Sequence, residues 1–581
     1  AIGAKLLVYQ GQHFQLVEKW PVRGYLSSME TPVHFGLGTA AADSIIVVWP
    51  DNSFIKIDGK LKDTTVAISY GAGMPKFDYA RIKAAQNENC RPMEDITSAV
   101  KLNYRHAENQ FVDFNWEPLV PHMLSTEGPA LAVGDLNHDG LDDVFIGAAK
   151  NHRGAVFFQS RQGQFAKASD GVFQSDSSYE DVDACIVDIN NDGLQDLIVA
   201  SGGDEYTTLK KYLQPRLYLN DGKQLVSQNQ AFQNISTNAS CIVPADFNGD
   251  GFVDLFVGGR AVPWEYGQTP VSFLLVNDGK GNFTNVTASV CKEMARIGMV
   301  TGAVWTDIDK DGDQDLVLSM EWGGIKAFIN DHGKFTIKAI TDRKGWWNFV
   351  LPVDVDNDGD LDLIAGNLGE NTMLKASPQE PVKLYYTDFD ASGKKEQLMT
   401  YFLDGKEIPF ASIDELEKKI PSLKKKFLYA RDFAKAPLAD IFPPERLKHA
   451  DSLSTDSFSS MVFINDGKMN FEARPLPWEA QLSTFRTAVV VDANGDKLPD
   501  ILMLGNYYDN NIQMGRSDAD FGTLLLNQGK GQFSCTGIPG LAIKGQVRQV
   551  RKIKLAGAEA FVLGRNNDSA MVIRFKGEGE R

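Results

Sequence analysis

One pattern recurs six times in this 581-residue chain: D-x-[DN]-x-D-[GK]-x-x-D, followed at once by an apolar run. The copies are GDLNHDGLDDVFIGA, VDINNDGLQDLIVASGG, ADFNGDGFVDLFVGGR, TDIDKDGDQDLVLSMEWGG, DVDNDGDLDLIAGN and VDANGDKLPDILMLGN. Their first acids fall at Asp135, Asp188, Asp246, Asp307, Asp354 and Asp492, so the successive gaps are 53, 58, 61, 47 and 138 residues. Five copies thus recur at about the spacing of β-propeller units, which run about 40–50 residues before insertions. The long last gap has room for a further unit and an insertion, and holds a degenerate copy, DFDASGKKE, from Asp388.

A second signal follows most copies: LYLNDGK, LLVNDGKGNF, AFINDHGKF, VFINDGKMNF and LLLNQGKGQF. Each reads as a short strand, a tight Asn/Asp-Gly turn and an aromatic, the mark of a β-hairpin. One unit therefore reads strand A, acidic loop, strand B, longer loop, strand C, tight turn, strand D. Four strands repeated radially make a propeller. The expected fold is all-β: a seven-bladed propeller, with the seventh blade drawn from residues 384–475 and closure by pairing AEAFVLGRNNDSAMVIRF with strands near 110–133. Eight blades remain open if that C-terminal run forms its own.

Crowding acids beside a buried strand costs repulsion and desolvation unless something compensates. Positions 1, 3, 5 and 9 offer side-chain oxygens, position 7 a backbone carbonyl, and Gly at position 6 the sharp turn that gathers them. Hard oxygen ligands at this density suit Ca²⁺, with no His or Cys for a softer metal. The expected ligands are Asp135, Asn137, Asp139, Leu141 and Asp143; Asp188, Asn190, Asp192, Leu194 and Asp196; Asp246, Asn248, Asp250, Phe252 and Asp254; Asp307, Asp309, Asp311, Asp313 and Asp315; Asp354, Asp356, Asp358, Asp360 and Asp362; and Asp492, Asn494, Asp496, Leu498 and Asp500. That makes about six Ca²⁺ sites. The competing reading is an Asx-rich turn without metal. An acid at position 9, which turn chemistry does not require, argues against it. Lys497 in place of Gly and Pro499 beside it mark the sixth loop as the weaker one, and Ser392 and Glu396 leave the Asp388 loop marginal.

A net charge of −17 argues against nucleic-acid binding, which needs clustered Lys and Arg. The five Cys are scattered without C-x-x-C pairs, so neither a disulfide framework nor a zinc site is expected, and Cys185 and Cys241 read as buried thiols. No apolar run reaches the length of a membrane span. The N-terminal AIGAKLLVYQ lacks the basic start of a signal peptide and reads as an internal start or a processed end.

The acidic loops resemble the FG-GAP/VCBS repeats of integrin-type propellers. RGYLSSMETPVHFGLGTAAADSIIVVWPDNSFIKI, from Arg23, resembles the ASPIC/UnbV domain. DLFVGGR, GWWNF, AGNLGEN and IDELEKKIPSLKKKF look like the Bacteroidota branch of a family that includes cartilage acidic protein. The resemblance implies Ca²⁺ between strands A and B, a secreted or outer-membrane lipoprotein location, and no established general activity. The expected organisation is an ASPIC/UnbV-like β domain over 1–72, a linker over 73–110 with a short helix near 80–88, and a propeller over 111–581 with a helical insertion at 405–455. In the first of these, Arg23, Tyr25, His34 and Trp49 read as packing and turn residues. In the insertion, Ser412 and Glu415 form a capping box, Pro421, Pro437 and Pro443 mark helix starts, and LKKKFLYARDFAKA reads as an amphipathic basic helix packed on the propeller.

Strands alternate in direction, so the acidic loops and tight C–D turns share one face and the longer loops the other. The second face is the expected ligand site, with candidates Glu205, Tyr206, Arg260, Trp264, Glu321, Trp322, Trp346, Trp347, Asn367, Tyr507, Tyr508 and Arg516. Aromatics mixed with amides and acids suit sugar rings or peptide segments; plugging of the channel is the alternative. The expected function is an extracytoplasmic binding module for a glycan, a peptide or an outer-membrane protein partner. Two other readings are a glycan-active enzyme using carboxylates such as Glu205 with Glu321, and an accessory subunit of an outer-membrane uptake or secretion complex. No G-x-S-x-G, HExxH or Walker loop supports an enzyme.

Overall fold

The computed structural model describes residues 1–11, 13–79, 90–228 and 230–577. The chain divides into two compact units, Ala1–Glu88 and Asn89–Arg581. The helix expected near 80–88 lies outside the described residues.

In the first unit one antiparallel sheet runs in the order His13–Glu18, Lys5–Gln10, Ala42–Val48, Phe54–Leu61. Its core gathers Ala4, Val47 and Trp49, with Leu6, Ile45, Ile55, Ile68 and Met74 against them. Trp49 meets Tyr70 edge-on at 5.6 Å. His34 pairs with Glu30, and Tyr25 stands exposed.

The second unit contains seven sheets built on one plan. Four antiparallel strands follow each other from first to last, as in Asp181–Val187, Asp196–Ser201, Arg216–Asn220 and Leu225–Ser227. The first strands of the seven sheets touch in sequence order, and that of the last, Gln546–Leu555, touches that of the first, Leu131–Gly134. Alternation explains why second strands are apolar almost throughout. In Asp315–Gly323, Leu316 and Leu318 pack against the third sheet with Phe256, while Val317 packs against the fifth with Leu363. Both faces of each sheet are thus buried, and seven separate apolar clusters fill the seven junctions between neighbouring sheets.

Three expectations are corrected. First, the last sheet consists of Gln546–Leu555, Ala558–Asn566, Met571–Phe575 and, as its outer strand, Met93–Asp95. Ile573 faces Asp95 and Phe575 faces Met93, so closure comes from inside the expected linker and not from residues near 110–133. Second, residues 384–475 make no sheet of the ring by themselves. Met461–Asn465 and Phe471–Pro475 complete the sheet begun by Phe349–Val353 and Asp362–Gly366. Between them is inserted a separate sheet in the order Lys406–Pro409, Glu396–Leu403, Val382–Thr387, Asp451–Thr455, together with short helices. Third, LKKKFLYARDFAKA breaks into two single turns, Leu423–Lys426 and Ala430–Phe433, because Leu423, Phe427 and Phe433 fold into one small apolar core and end the helix early. The Ser412–Glu415 capping box forms as expected. All five Cys are free thiols. Among the described residues, no helix is long and apolar enough to cross a membrane.

Candidate functional site

The acidic loops wrap inward. Position-1 carboxylates accept backbone N–H groups from across the turn, as Asp135 does from Asp139 at 3.0 Å and Gly140 at 2.8 Å. Position-5 carboxylates accept the position-7 N–H, at 2.8–3.0 Å in Leu141, Leu194, Phe252, Asp313, Asp360 and Leu498. The turn needs left-handed backbone at position 6. Gly supplies it in five loops; in the sixth Lys497 sits there at φ 69°, a strained place for a side chain.

Position 9 carries more than sequence reasoning gave it. Asp143, Asp196, Asp254, Asp315, Asp362 and Asp500 are fully buried. One oxygen accepts an N–H at the start of strand C's turn, from Gln159, Asn220, Asn277, Asn330, Asn465 or Asn527, at 2.7–2.9 Å. In five of them the other accepts the position-2 N–H of its own loop, at 2.8–3.0 Å. Several of these Asn side chains then reach the neighbouring loop: Asn277 donates to Ile189, and Asn330 to Phe247, each at 2.7 Å. The position-9 acid is therefore a clamp within the sheet as well as a candidate ligand, so its presence alone does not require a metal.

The remaining oxygens fit a hard cation. Carboxylate oxygens of Asp307, Asp309 and Asp311 lie within 4.8 Å of one another, as do those of Asp354, Asp356 and Asp362 and those of Asp492, Asp496 and Asp500. Asp307 Oδ1, Asp354 Oδ1 and Asp356 Oδ1 are buried without a hydrogen-bond partner. Burial, then repulsion from the other loop acids, pushes Asp143 and Asp254 up to about 7 and Asp196, Asp315 and Asp362 to about 6. A bound dication would satisfy the unpartnered oxygens and remove that repulsion. In the Asp388 loop Glu396 instead pairs with Lys419 at 3.6 Å, which suits a polar turn.

The opposite face is closed by the chain itself. Residues 106–128, an irregular segment, cross the ends of the sheets, and Leu119–Ala132 are buried without interruption. Val120 and Leu124 sit among Tyr266, Trp322 and Trp346. Trp322 donates to the Tyr266 hydroxyl at 2.7 Å and packs on Trp346 at 5.0 Å. His122 Nε2 lies 2.6 Å from Glu321, whose other oxygen accepts from Arg260 at 2.5 Å. Burial opposes charge on Glu321, but Arg260 and His122 outweigh it and hold the carboxyl well below its usual range. The Tyr507 hydroxyl donates to the Met123 carbonyl at 2.5 Å. Trp347 is buried between the fourth and fifth sheets, and Asn367 is a turn residue accepting from Trp346 and Leu368.

Arg260, Glu321, Trp322, Trp346, Trp347, Asn367 and Tyr507 are thus not available to a ligand on the open face: each is under 5% exposed. Glu205 and Glu321 belong to separate networks, since Glu205 pairs with Lys150 and Asn109. What stays accessible is smaller. Trp264 is 39% exposed and stacks on Trp116, itself 51% exposed, at 4.9 Å and 11° between planes. Trp264 N–H donates to Asp204, next to Glu205 and Tyr206; Tyr206 packs on Tyr212 at 4.7 Å with Lys150 over its ring. Tyr508 is half-buried beneath exposed Arg516, at 4.3 Å.

Residues 1–74 match the ASPIC and UnbV family model, and residues 135–199, 188–257 and 307–365 match that of the FG-GAP-like repeat. The chain carries an ASPIC/UnbV domain and FG-GAP-like repeats. The three FG-GAP-like matches begin at Asp135, Asp188 and Asp307, the first acids of their loops, and five of the six loops fall inside them. The loop outside is the one with Lys497. Among solved structures the chain is similar to one in the crystal structure of BBS1N in complex with ARL6DN, at 10% identity over 79% of this chain and 95% of that one, TM-score 0.37. It is also similar to the V. cholerae biofilm matrix protein Bap1, at 10% identity over 84% and 92%, TM-score 0.32. Neither likeness carries functional weight.

Sequence reasoning missed the acids of the FG-GAP unit's crossing segment. Glu117 accepts from the Tyr266 N–H and from Gln397, and its other oxygen is buried without a partner; burial, chiefly, pushes the carboxyls of Glu117 and of neighbouring Asp204 up. Burial likewise pushes Glu108 up to about 8 and lowers His106 to about 3. His106 Nδ1 accepts the Asn567 N–H at 3.2 Å and lies 3.9 Å from Glu108 Oε1, while His106 Nε2, Glu108 Oε2 and Glu180 Oε1 are buried without a hydrogen-bond partner. The one available signal was FVDFNWEPLVPHML, an apolar run with neither period.

Proposed function

We propose that this chain is a calcium-stabilised, seven-bladed β-propeller of the Bacteroidota type. It works outside the cytoplasm, secreted or on an outer-membrane lipoprotein, as a binding module rather than an enzyme. The single observation that carries the binding reading is the exposed, face-to-face Trp116–Trp264 stack, tied through the Trp264 backbone N–H to Asp204. Stacked indoles left partly in water on a rigid scaffold offer an apolar outer ring face and polar edges, suited to a sugar ring or a peptide side chain. The ring contacts of the seven first strands support the blade count, and the unpartnered loop oxygens support the metal. Extracellular calcium modules bind at about 10⁻⁴–10⁻³ M, which fits an extracytoplasmic site. Against catalysis stands the separation of Glu205 and Glu321 into networks with their own cations.

Glycan and peptide arrays with the whole chain in calcium buffer test this. A ligand whose binding falls at least tenfold with Trp264→Ala or Trp116→Ala, without a change in melting temperature beyond about 2 °C, supports the platform. Binding indifferent to both substitutions overturns it, and turnover of an arrayed glycan overturns the non-enzymatic reading.

A further inference from the structure

The first strands of the FG-GAP unit surround a cavity of about 260 Å³, lined among others by Asp183, Arg260, Asn348, Arg486 and Arg548 and by Glu127 of the crossing segment. At about 30 Å³ per water it could hold several waters or one small polyatomic ion with a few of them. Its lining sets four guanidinium groups, of Arg260, Arg486, Arg548 and Arg551, against two carboxylates, of Glu127 and Asp183, with Arg551 3.5 Å from Asp183. Arg486 donates to Asn348 Oδ1 at 3.0 Å and to Glu127. Arg260 donates to Glu321, and its Nε lies 3.5 Å from Glu127 Oε1 without a hydrogen bond. Arg548 gives one nitrogen to the Thr126 carbonyl at 2.9 Å and Gln546 at 3.1 Å, with Asp509 3.9 Å away on that side. That leaves Arg548 Nε and Nη1, Arg260 Nε and Asn348 Nδ2 buried with no acceptor, against one unpartnered acceptor, Glu127 Oε1. Arg260 and Arg548 are each at least 95% buried.

We propose that this axial cavity is a binding site for a small oxyanion: phosphate, sulfate or the carboxylate of a small organic acid. Unmade bonds from buried guanidinium groups are costly, and a guanidinium fork matches the paired oxygens of such anions. A single water offers two acceptor positions; an oxyanion presents several on one body and carries charge toward three converging guanidinium groups. The occupant would bridge the third, fifth, sixth and seventh sheets and the crossing segment at once. The site is distinct from the Trp116–Trp264 platform and from the calcium loops, and stands or falls independently of them.

Titration calorimetry on the full chain in 1 mM calcium, with chloride making up constant ionic strength, tests the proposal with sulfate and acetate as probes. In calcium-free buffer, phosphate joins them. Saturable binding at one site per chain is expected for at least one probe, weakened at least tenfold by Arg548→Met and by Asn348→Ala. The second variant leaves all buried charges in place, so it serves if the first fails to fold. Sulfate or phosphate without acetate marks a tetrahedral dianion as the occupant, and acetate marks a carboxylate; either supports the proposal. Crystals soaked in selenate should show anomalous density between Arg260, Arg486 and Arg548. No saturable heat with any probe means that water alone fills the cavity. Binding that survives both variants means an adventitious ion only. Each overturns it.

Discussion

Replacing Glu127 by Gln should separate the crossing segment's ion cluster from mere filling of space. The substitution keeps size and one acceptor but removes the carboxylate that faces Arg486, Arg260 and Arg548. Burial works against that carboxylate, and the three guanidinium groups outweigh it, holding it at about 2. Removing one partner of a buried ion pair costs about 3–5 kcal/mol, because the other charge stays buried and uncompensated. The unit Asn89–Arg581 has roughly 490 residues, so its unfolding entropy is about 1 kcal/mol/K at ~2.1 cal/mol/K per residue. The melting temperature should therefore fall by about 3–5 °C in calcium buffer. A folded pKa below the unfolded one gives stability that is present above the unfolded value and lost as pH falls through the folded one. The deficit of Glu127→Gln should then be constant from about pH 5 to 8 and shrink only in strong acid. Scanning calorimetry at several pH values reads both. A loss below about 1 °C, or one that varies across neutral pH, would refute the view that this ion cluster holds the segment in place.

Glu108 should behave in the opposite sense. Its folded value, raised to about 8 chiefly by burial, lies above the unfolded one, so its contribution is complete below about pH 4.3 and is lost as pH rises through 8. Glu108→Gln should gain on the wild type steadily between about pH 5 and 8 in denaturant midpoints and level off above that; a flat difference from about pH 5 to 8 contradicts this. Met93, fully buried in the junction between the sixth and seventh sheets, should cost about 2–5 kcal/mol on change to Ala if the outer strand is part of the fold. A loss under about 0.5 kcal/mol would mean that the strand is dispensable, which urea titration can decide.

The repeating loops, the hairpins and the alternation of strands could be read from the chain because each follows from local spacing: oxygens at fixed offsets, a tight turn, period two. The fold depends on two pieces without such spacing. Met93–Asp95 is three residues long, and its partner strand lies 478 residues away at Ile573, facing Asp95, so no local pattern announces it. Residues 106–128 are held by single contacts, His122 to Glu321 and Met123 to Tyr507, which leave no periodicity. Their presence decides the fate of the face. Trp322, Trp346 and Tyr507 look the same in sequence whether they meet a ligand or their own chain, yet they are buried while Trp264 stays 39% exposed. The position-9 acids show the reverse effect. Sequence assigned them to a metal, and the backbone N–H groups that they accept give them a second task that spacing alone does not reveal.

The calcium claim is tested most directly by calorimetry of the protein before and after exhaustive EGTA dialysis, with metal content measured on the same samples. At 10 mM Ca²⁺ and dissociation constants of about 10⁻⁴–10⁻³ M, each site adds about 1.4–2.7 kcal/mol. Six such sites add roughly 8–16 kcal/mol, which on an entropy near 1 kcal/mol/K is a rise of about 8–16 °C. The account predicts that rise together with several calcium ions per chain. An unchanged melting temperature with less than one calcium per chain would leave the loops as Asx turns and contradict it.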